Sequence, residues 1–326
     1  MRRIALAVAL IAGLSLPAAT SAPAARQSTT LNLVAYSTPK EAFEKLIPAF
    51  QKTAAGKDVQ FTQSYGPSES QARAIIAGQP ADVVDLSLQP DLDSLVAKGL
   101  VAKNWNQNQY HGFVTRSVVV FVVRNGNPKH IKDWEDLIKP GVEVLTPNPF
   151  TSGGARWNVM AAYGAMKRKG KTHAQAVKYL DTLFHHVSVQ DKSAREALQT
   201  FLGGKGDVLL TYENEAKLAL AKGQPAYYVI PKATIRIENP VAVLKTTKNQ
   251  VAAKAFVKFL YSQQGQVLFG QAGYRPVVKS ALKKFSYPVR PWLFTIGYVG
   301  GWSKVQTQFF DPDNGVMAKI EKGLGQ

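Results

Sequence analysis

The sequence predicts an α/β protein with two lobes, each a mainly parallel sheet flanked by helices, joined by hinge strands. Three observations predict it. Apolar strand-like runs alternate with helical segments along most of the chain, the pattern of parallel sheets covered by helices on both faces. The length, 326 residues, suits two domains of ordinary size. No low-complexity linker separates two halves, so the chain is expected to cross between lobes on continuous strands, near Val114–Val118 and Ile235–Val241. One lobe is then discontinuous, residues 26–116 plus 238–326, and the other is 117–237.

Residues 1–25 stand apart from this fold. Met1-Arg2-Arg3 is positive, Ile4–Pro17 is apolar and Ala18–Ala25 is rich in small residues, the three parts of a signal peptide. A membrane anchor is the competing reading, for which the apolar run is short. Pro23 disfavours a cut after Ala22 and moves the expected cleavage to Ala24 or Ala25.

The mature chain opens with an apolar strand, Leu31–Tyr36. Phe43, Leu46, Ile47 and Phe50 follow at helical spacing, with Pro48 expected to kink that helix. Val59–Gln63 alternates as a strand. The next helix is read as Ser68–Ala77, with Ser68 as N-cap, Gln71 closing a capping box and Gly78 ending it. Asp82–Leu86 is a strand and Asp91–Lys98 a short helix. Ser117–Val123 is a strongly β-branched strand, and Asp133–Ile138 a short helix. The strand Val142–Leu145 runs into the turn Thr146-Pro147-Asn148-Pro149. A long helix spans about 154–169, and Thr172 with Gln175 opens another that reaches about His186. Ser193 and Glu196 read as a third capping box. Asp207–Thr211 is a strand, followed by a helix from Glu213 to about Lys222.

Composition narrows the function classes. The formal net charge is +18, from 40 Lys and Arg against 22 Asp and Glu. Such a balance suits a polyanionic partner, steering of small anions, or a solvated basic surface. No aromatic RNA-binding motif or zinc-finger spacing accompanies it, so nucleic acid is not the expected partner. There is no cysteine, hence no disulfide and no thioether-linked lipid. No mature segment reaches the roughly 20 apolar residues of a membrane span. An exported periplasmic protein, not embedded in a membrane, is expected.

Enzyme signals are poor. The chain has no GxSxG elbow, HExxH pair or phosphate-binding P-loop. His185 and His186 are adjacent, so they point in different directions and read as surface or cap residues. Asp181, Glu213 and Glu215 read as solvated or salt-bridged carboxylates. No catalytic residue, metal or cofactor is expected.

Four turns between strands and helices share a chemistry. Ser37-Thr38-Pro39, Ser64 through Ser68, Thr151-Ser152-Gly153-Gly154 and Lys192-Ser193-Ala194 each place small or hydroxyl residues at a helix start. A helix start carries N–H groups with no partner in the helix, at the positive end of the dipole, which suits an anion. Gly153 and Gly154 leave the backbone open to close approach. Singly, each turn is equally a capping arrangement. Their convergence on one cleft is a three-dimensional property.

At these turns the chain resembles a known family. TPNPFTSGGARWN (Thr146–Asn158), NPKHIKDWEDLIKPGV (Asn127–Val142), GDVLLTYENEA (Gly206–Ala216), YRP (Tyr274–Pro276) and LFTIGYVGGW (Leu293–Trp302) are similar to the periplasmic sulfate-binding proteins of ABC importers. The similarity runs in order through nearly the whole mature chain. It implies the two-lobed type II periplasmic binding-protein fold, a monomer that closes at a hinge over dehydrated sulfate and delivers it to permease subunits. Carried over by position, the implied donors are the N–H groups of Ser37, Ser68, Gly153, Gly154 and Ala194, the Ser152 hydroxyl, and the residue at Tyr212.

Two positions depart from that pattern. The tryptophan expected before ENEA is Tyr212 here, and the aspartate common in the first turn is Ser37. Molybdate-binding proteins of the same fold use serine hydroxyls, amides and a tyrosine, which Ser37, Ser68 and Tyr212 resemble. Molybdate or thiosulfate is therefore the alternative ligand, and an enzyme on the same fold the distant one. A pocket of donors without carboxylates favours sulfate over phosphate, because phosphate still carries a proton that needs an acceptor. Glu69 and Glu213 are expected to point outward. Arg156 and Arg195 are expected to brace the donor turns from behind, and Trp157 to lie in the core.

Overall fold

The computed structural model describes residues 29–288 and 290–325. The expected signal peptide and its cleavage point lie outside the described residues. The chain begins with β1 (Thr29–Tyr36), α1 (Lys40–Gln51), β2 (Val59–Gly66), α2 (Ser68–Ile76), β3 (Val83–Asp85) and α3 (Gln89–Ala97), and then enters the long strand β4 (Phe113–Arg124). Next come β5 (Val144–Leu145), α4 (Gly153–Arg168), α5 (His173–His185), β6 (Val187–Val189), α6 (Ala194–Leu202), β7 (Val208–Tyr212), α7 (Glu213–Ala221) and β8 (Ala226–Val229). A second long strand, β9 (Ala233–Val243), leads to α8 (Gln250–Leu260), α9 (Gln263–Gln271), β10 (Arg275–Pro276), α10 (Lys279–Leu282), β11 (Trp292–Phe294), α11 (Gly301–Phe309) and α12 (Val316–Gly323).

The sheet is two parallel triplets joined by an antiparallel ladder. β2 and β3 flank β1 in parallel, and β6 and β7 flank β5 in parallel. Each triplet ends on a long strand running the other way, β9 beside β3 and β4 beside β7. β4 and β9 then pair with each other, with Ser117 opposite Ile237 and Arg116 opposite Glu238. β9 pairs with β3 of the first triplet, β4 pairs with β7 of the second, and the two long strands pair with each other, which joins the halves through continuous β structure.

β4 is buried on both faces. Val119, Phe121 and Val123 join one apolar cluster, and Val118, Val120 and Val122 join another. A strand covered on both sides by helices reads as a continuous apolar run, as this one does. No helix among the described residues is long and apolar enough to cross a membrane.

The local expectations have mixed outcomes. α1 continues through Pro48; the proline and Glu44, whose carbonyl it leaves without an N–H partner, are both exposed, so water can satisfy that carbonyl. Residues Trp134–Ile138 form a tight 3₁₀ turn, capped by Asp133 and Asp136. The box at Thr172 and Gln175 forms in full at the start of α5. Ser193 accepts from Glu196 N, the first half of the expected box at α6. The box at Ser68 does not form. Pro67 is the N-cap of α2, and the Gln71 amide turns to the Ala35 carbonyl and Ser64.

Candidate functional site

The helix starts chosen from the sequence meet around one serine that was not chosen. Ser87 follows β3, is buried, and uses its N–H, hydroxyl and carbonyl. Its N–H donates to Ser68 Oγ at 2.9 Å, and its own Oγ lies 2.6 Å from Tyr212 Oη. Its carbonyl accepts from Trp157 Nε1 at 3.1 Å and from Asn239 Nδ2 at 3.2 Å. The starts of α2, α4 and α7 are thus tied together through Ser87.

Gly153 and Gly154 are where they are because nothing larger fits. A Cβ on Gly153 would stand 2.4 Å from Ser87 Oγ and 2.9 Å from Leu88 Cγ. A Cβ on Gly154 would stand 2.8 Å from Tyr212 Cε2, 3.2 Å from Ala194 Cβ and 3.4 Å from Ser152 Oγ. These distances bring Ser152, Gly153, Gly154, Ala194 and Tyr212 into one cluster, with Ser68 joined through Ser87. Ser152, Ala194, Ser68 and Tyr212 are all buried. Ser37 is half-buried and linked through its neighbours. The Tyr36 ring stands 6.1 Å from that of Tyr212, and Thr38 Oγ1 lies 2.9 Å from Tyr274 Oη.

The Ser68 hydroxyl is already committed. It donates to Asp91 Oδ2 at 2.6 Å, on the buried side of α3. Burial pushes the Asp91 carboxyl up to about 6, opposed by Arg156 and by the Ser68 hydrogen bond. Burial alone pushes Asp85, at the end of β3, well above the usual carboxylate range. It therefore favours the neutral acid there.

The remaining carboxylates are consumed in ion pairs. Glu213 overturns its expectation: it is fully buried, not outward, and accepts from Arg275 Nε at 2.6 Å. The helix dipole still favours it, but a guanidinium brought by β10 replaces the solvent. Glu215 is also fully buried and takes two bonds from Arg195, at 2.8 and 2.9 Å. The same guanidinium reaches Glu41 twice at 2.8 Å and the Thr38 carbonyl at 3.1 Å. Burial works against the Arg195 charge, but its bonds to Glu215 and Glu41 outweigh that and hold its pKa above the usual value. Glu69 pairs with Arg73 at 2.6 Å on a partly exposed face.

Both arginines near the donor turns brace them. Arg195 does so through the network just described. Arg156 donates from Nε to the Pro149 carbonyl at 2.8 Å, holding the loop before α4, and from Nη1 to Gln306 at 3.3 Å. Trp157 lies in the core, edge-on to Trp302 at 4.7 Å, and also serves as the indole donor to Ser87. Sequence reasoning missed Ser87 and Asp91. The residues after Ser87 carry no capping pattern, and its hydroxyl partner lies 125 positions away. Among the described residues no cluster of His, Asp or Glu is arranged to hold a metal.

Comparison with known proteins identifies the family and the fold. The family model of bacterial extracellular solute-binding proteins matches residues 31–275. A sulfate-binding protein of Synechococcus elongatus is 41% identical over 91% of this chain and 88% of its own length. A thiosulfate-binding protein of Pseudomonas aeruginosa is 35% identical over 98% of this chain and 99% of its own. Among solved structures, the sulfate-binding protein SubI from Mycobacterium tuberculosis has a TM-score of 0.85 and 44% identity. That match covers 87% of this chain and all of that one.

Proposed function

We propose that this chain, which belongs to the bacterial extracellular solute-binding proteins, captures sulfate between its two lobes and delivers it to the permease of an ABC importer. The observation that carries the reading is the meeting of the helix starts at Ser68, Gly153 and Ala194 around Tyr212 and Ser87, while each nearby carboxylate is engaged by a neighbour or buried. Sulfate is a full dianion near neutral pH and only accepts hydrogen bonds. Backbone N–H groups at Ser37, Ser68, Gly153, Gly154 and Ala194, with the Ser152 hydroxyl and Tyr212, offer it donors alone. Phosphate brings a proton, and a donor-only site leaves that proton without an acceptor.

We assign residues 26–116 plus 238–326 to one lobe and 117–237 to the other. β4 and β9 are the hinge between them. The protein acts as a monomer in the periplasm, reached through a signal peptide, with no catalytic step of its own.

The molybdate reading needs hydroxyl protons at Ser37, Ser68 and Tyr212. The Ser68 hydroxyl already directs its proton to Asp91 in a hydrogen bond, and Tyr212 shares a hydrogen bond with Ser87. That favours the sulfate reading. Thermal unfolding of the mature protein with sulfate, thiosulfate or molybdate tests the choice, since a ligand of the folded state raises the melting temperature by mass action. Sulfate gives the largest rise if the reading holds. A larger rise with molybdate rejects it.

A further inference from the structure

A second concentration of positive charge lies on the ladder that joins the two sheets. Opposite residues on neighbouring strands share a face. Arg275 stands opposite Arg116, Arg116 opposite Glu238, and Arg236 opposite Val118. Val118 is two residues from Arg116, so β10, β4 and β9 present three arginines on one side. Arg290, before β11, reaches the same cavity, which has a volume of about 340 Å³. Its other wall is apolar, with Leu282, Phe285, Tyr287 and Leu293.

The local carboxylates do not balance these arginines. Glu238 is shared between Arg116 at 3.4 Å and Arg236 at 3.0 Å, and Glu213 pairs with Arg275. Four guanidiniums against two carboxylates leave two positive charges over. Three buried nitrogens, Arg236 Nε, Arg275 Nη2 and Arg290 Nε, have no hydrogen-bond partner, and Arg116 Nε has only its 3.4 Å ion pair with Glu238. Burial, reinforced by Arg236, holds Arg116 below its usual pKa. Like charges directly opposite on a ladder destabilise it, so this arrangement favours an added anion.

We infer that this cavity is a second anion site, for a small organic molecule with a dianionic head and an apolar body. Guanidinium forks match phosphate and carboxylate oxygens. The volume falls in the range of small-molecule sites, and the apolar wall suits a body that sulfate lacks. The inference does not depend on what the interlobe cleft binds.

Phenyl phosphate, titrated by calorimetry into the mature protein, is the probe. The expected result is one saturable site, with affinity lowered about tenfold or more in R236Q and in R290Q. Inorganic phosphate and neutral benzyl alcohol each bind more weakly than phenyl phosphate. Cooperative thermal unfolding certifies each variant, and Arg290, outside the strands, keeps the test available if R236Q does not fold. No saturable binding to the wild type, or unchanged affinity in a folded variant, overturns the inference.

Discussion

Ser87 Oγ and Tyr212 Oη are 2.6 Å apart, and either can be the donor. One of their two protons is spent between them, which leaves one for the cleft. Removing either hydroxyl still leaves one donor; removing both leaves none. Ser87→Ala and Tyr212→Phe should each weaken sulfate binding only a few-fold. The double variant should lose far more than the product of the two, with a coupling of about 1–2 kcal/mol by calorimetry. Strictly additive losses would show that the two hydroxyls act apart. Asp91 gives a second prediction. Its folded pKa, about 6, is raised above the ordinary value of 3.8. The folded state therefore holds more protons than the unfolded state between those values, and this group's contribution falls as pH rises through that window. Asp91→Asn should gain stability relative to wild type between pH 4 and 7, by roughly 2–3 kcal/mol in urea unfolding. A pH-independent difference would contradict the shift. Ser152, Gly153, Gly154 and Ala194 were legible because a helix start is a local pattern. Ser87 and Asp91 were not, because their roles arise from partners distant in sequence.

At the scale of elements, the same short pattern gave a cap in one place and not in another. Thr172 Oγ1 accepts from Gln175 N at 3.2 Å, and Gln175 Oε1 accepts from Thr172 N at 3.0 Å, both in the open. Nothing competes there, so local chemistry decides. Thr172→Ala should cost about 1 kcal/mol in denaturant unfolding and leave anion binding unchanged. A loss of binding would mean that α5 is coupled to the cleft. At Ser68 a buried carboxylate competes with the backbone, and a charge-assisted bond prevails over a neutral one. Glu213 departs from its reading for a related reason. The first-turn rule that favours it is correct, but solvent is replaced by Arg275 from β10.

The molecule as a whole depends on connections that no sequence window contains. The absence of a linker pointed to crossings near Val114–Val118 and Ile235–Val241, and both segments lie in the long paired strands β4 and β9. The ties among the donor turns were not legible in the sequence. Arg195 joins Glu41 and the Thr38 carbonyl, beside α1, to Glu215 on α7, and Ser87 joins α2, α4 and α7. These ties link the helix starts and pair the buried carboxylates of Glu213 and Glu215 with arginines, an arrangement that suits a fully ionised, proton-free anion. Calorimetric titration of the mature protein with sulfate and, separately, with phosphate near pH 7 tests this most directly. The account predicts one sulfate per chain and phosphate weaker by about tenfold or more, the cost of an unpaired buried proton. Phosphate binding as tightly as sulfate, or no saturable sulfate binding, would contradict it.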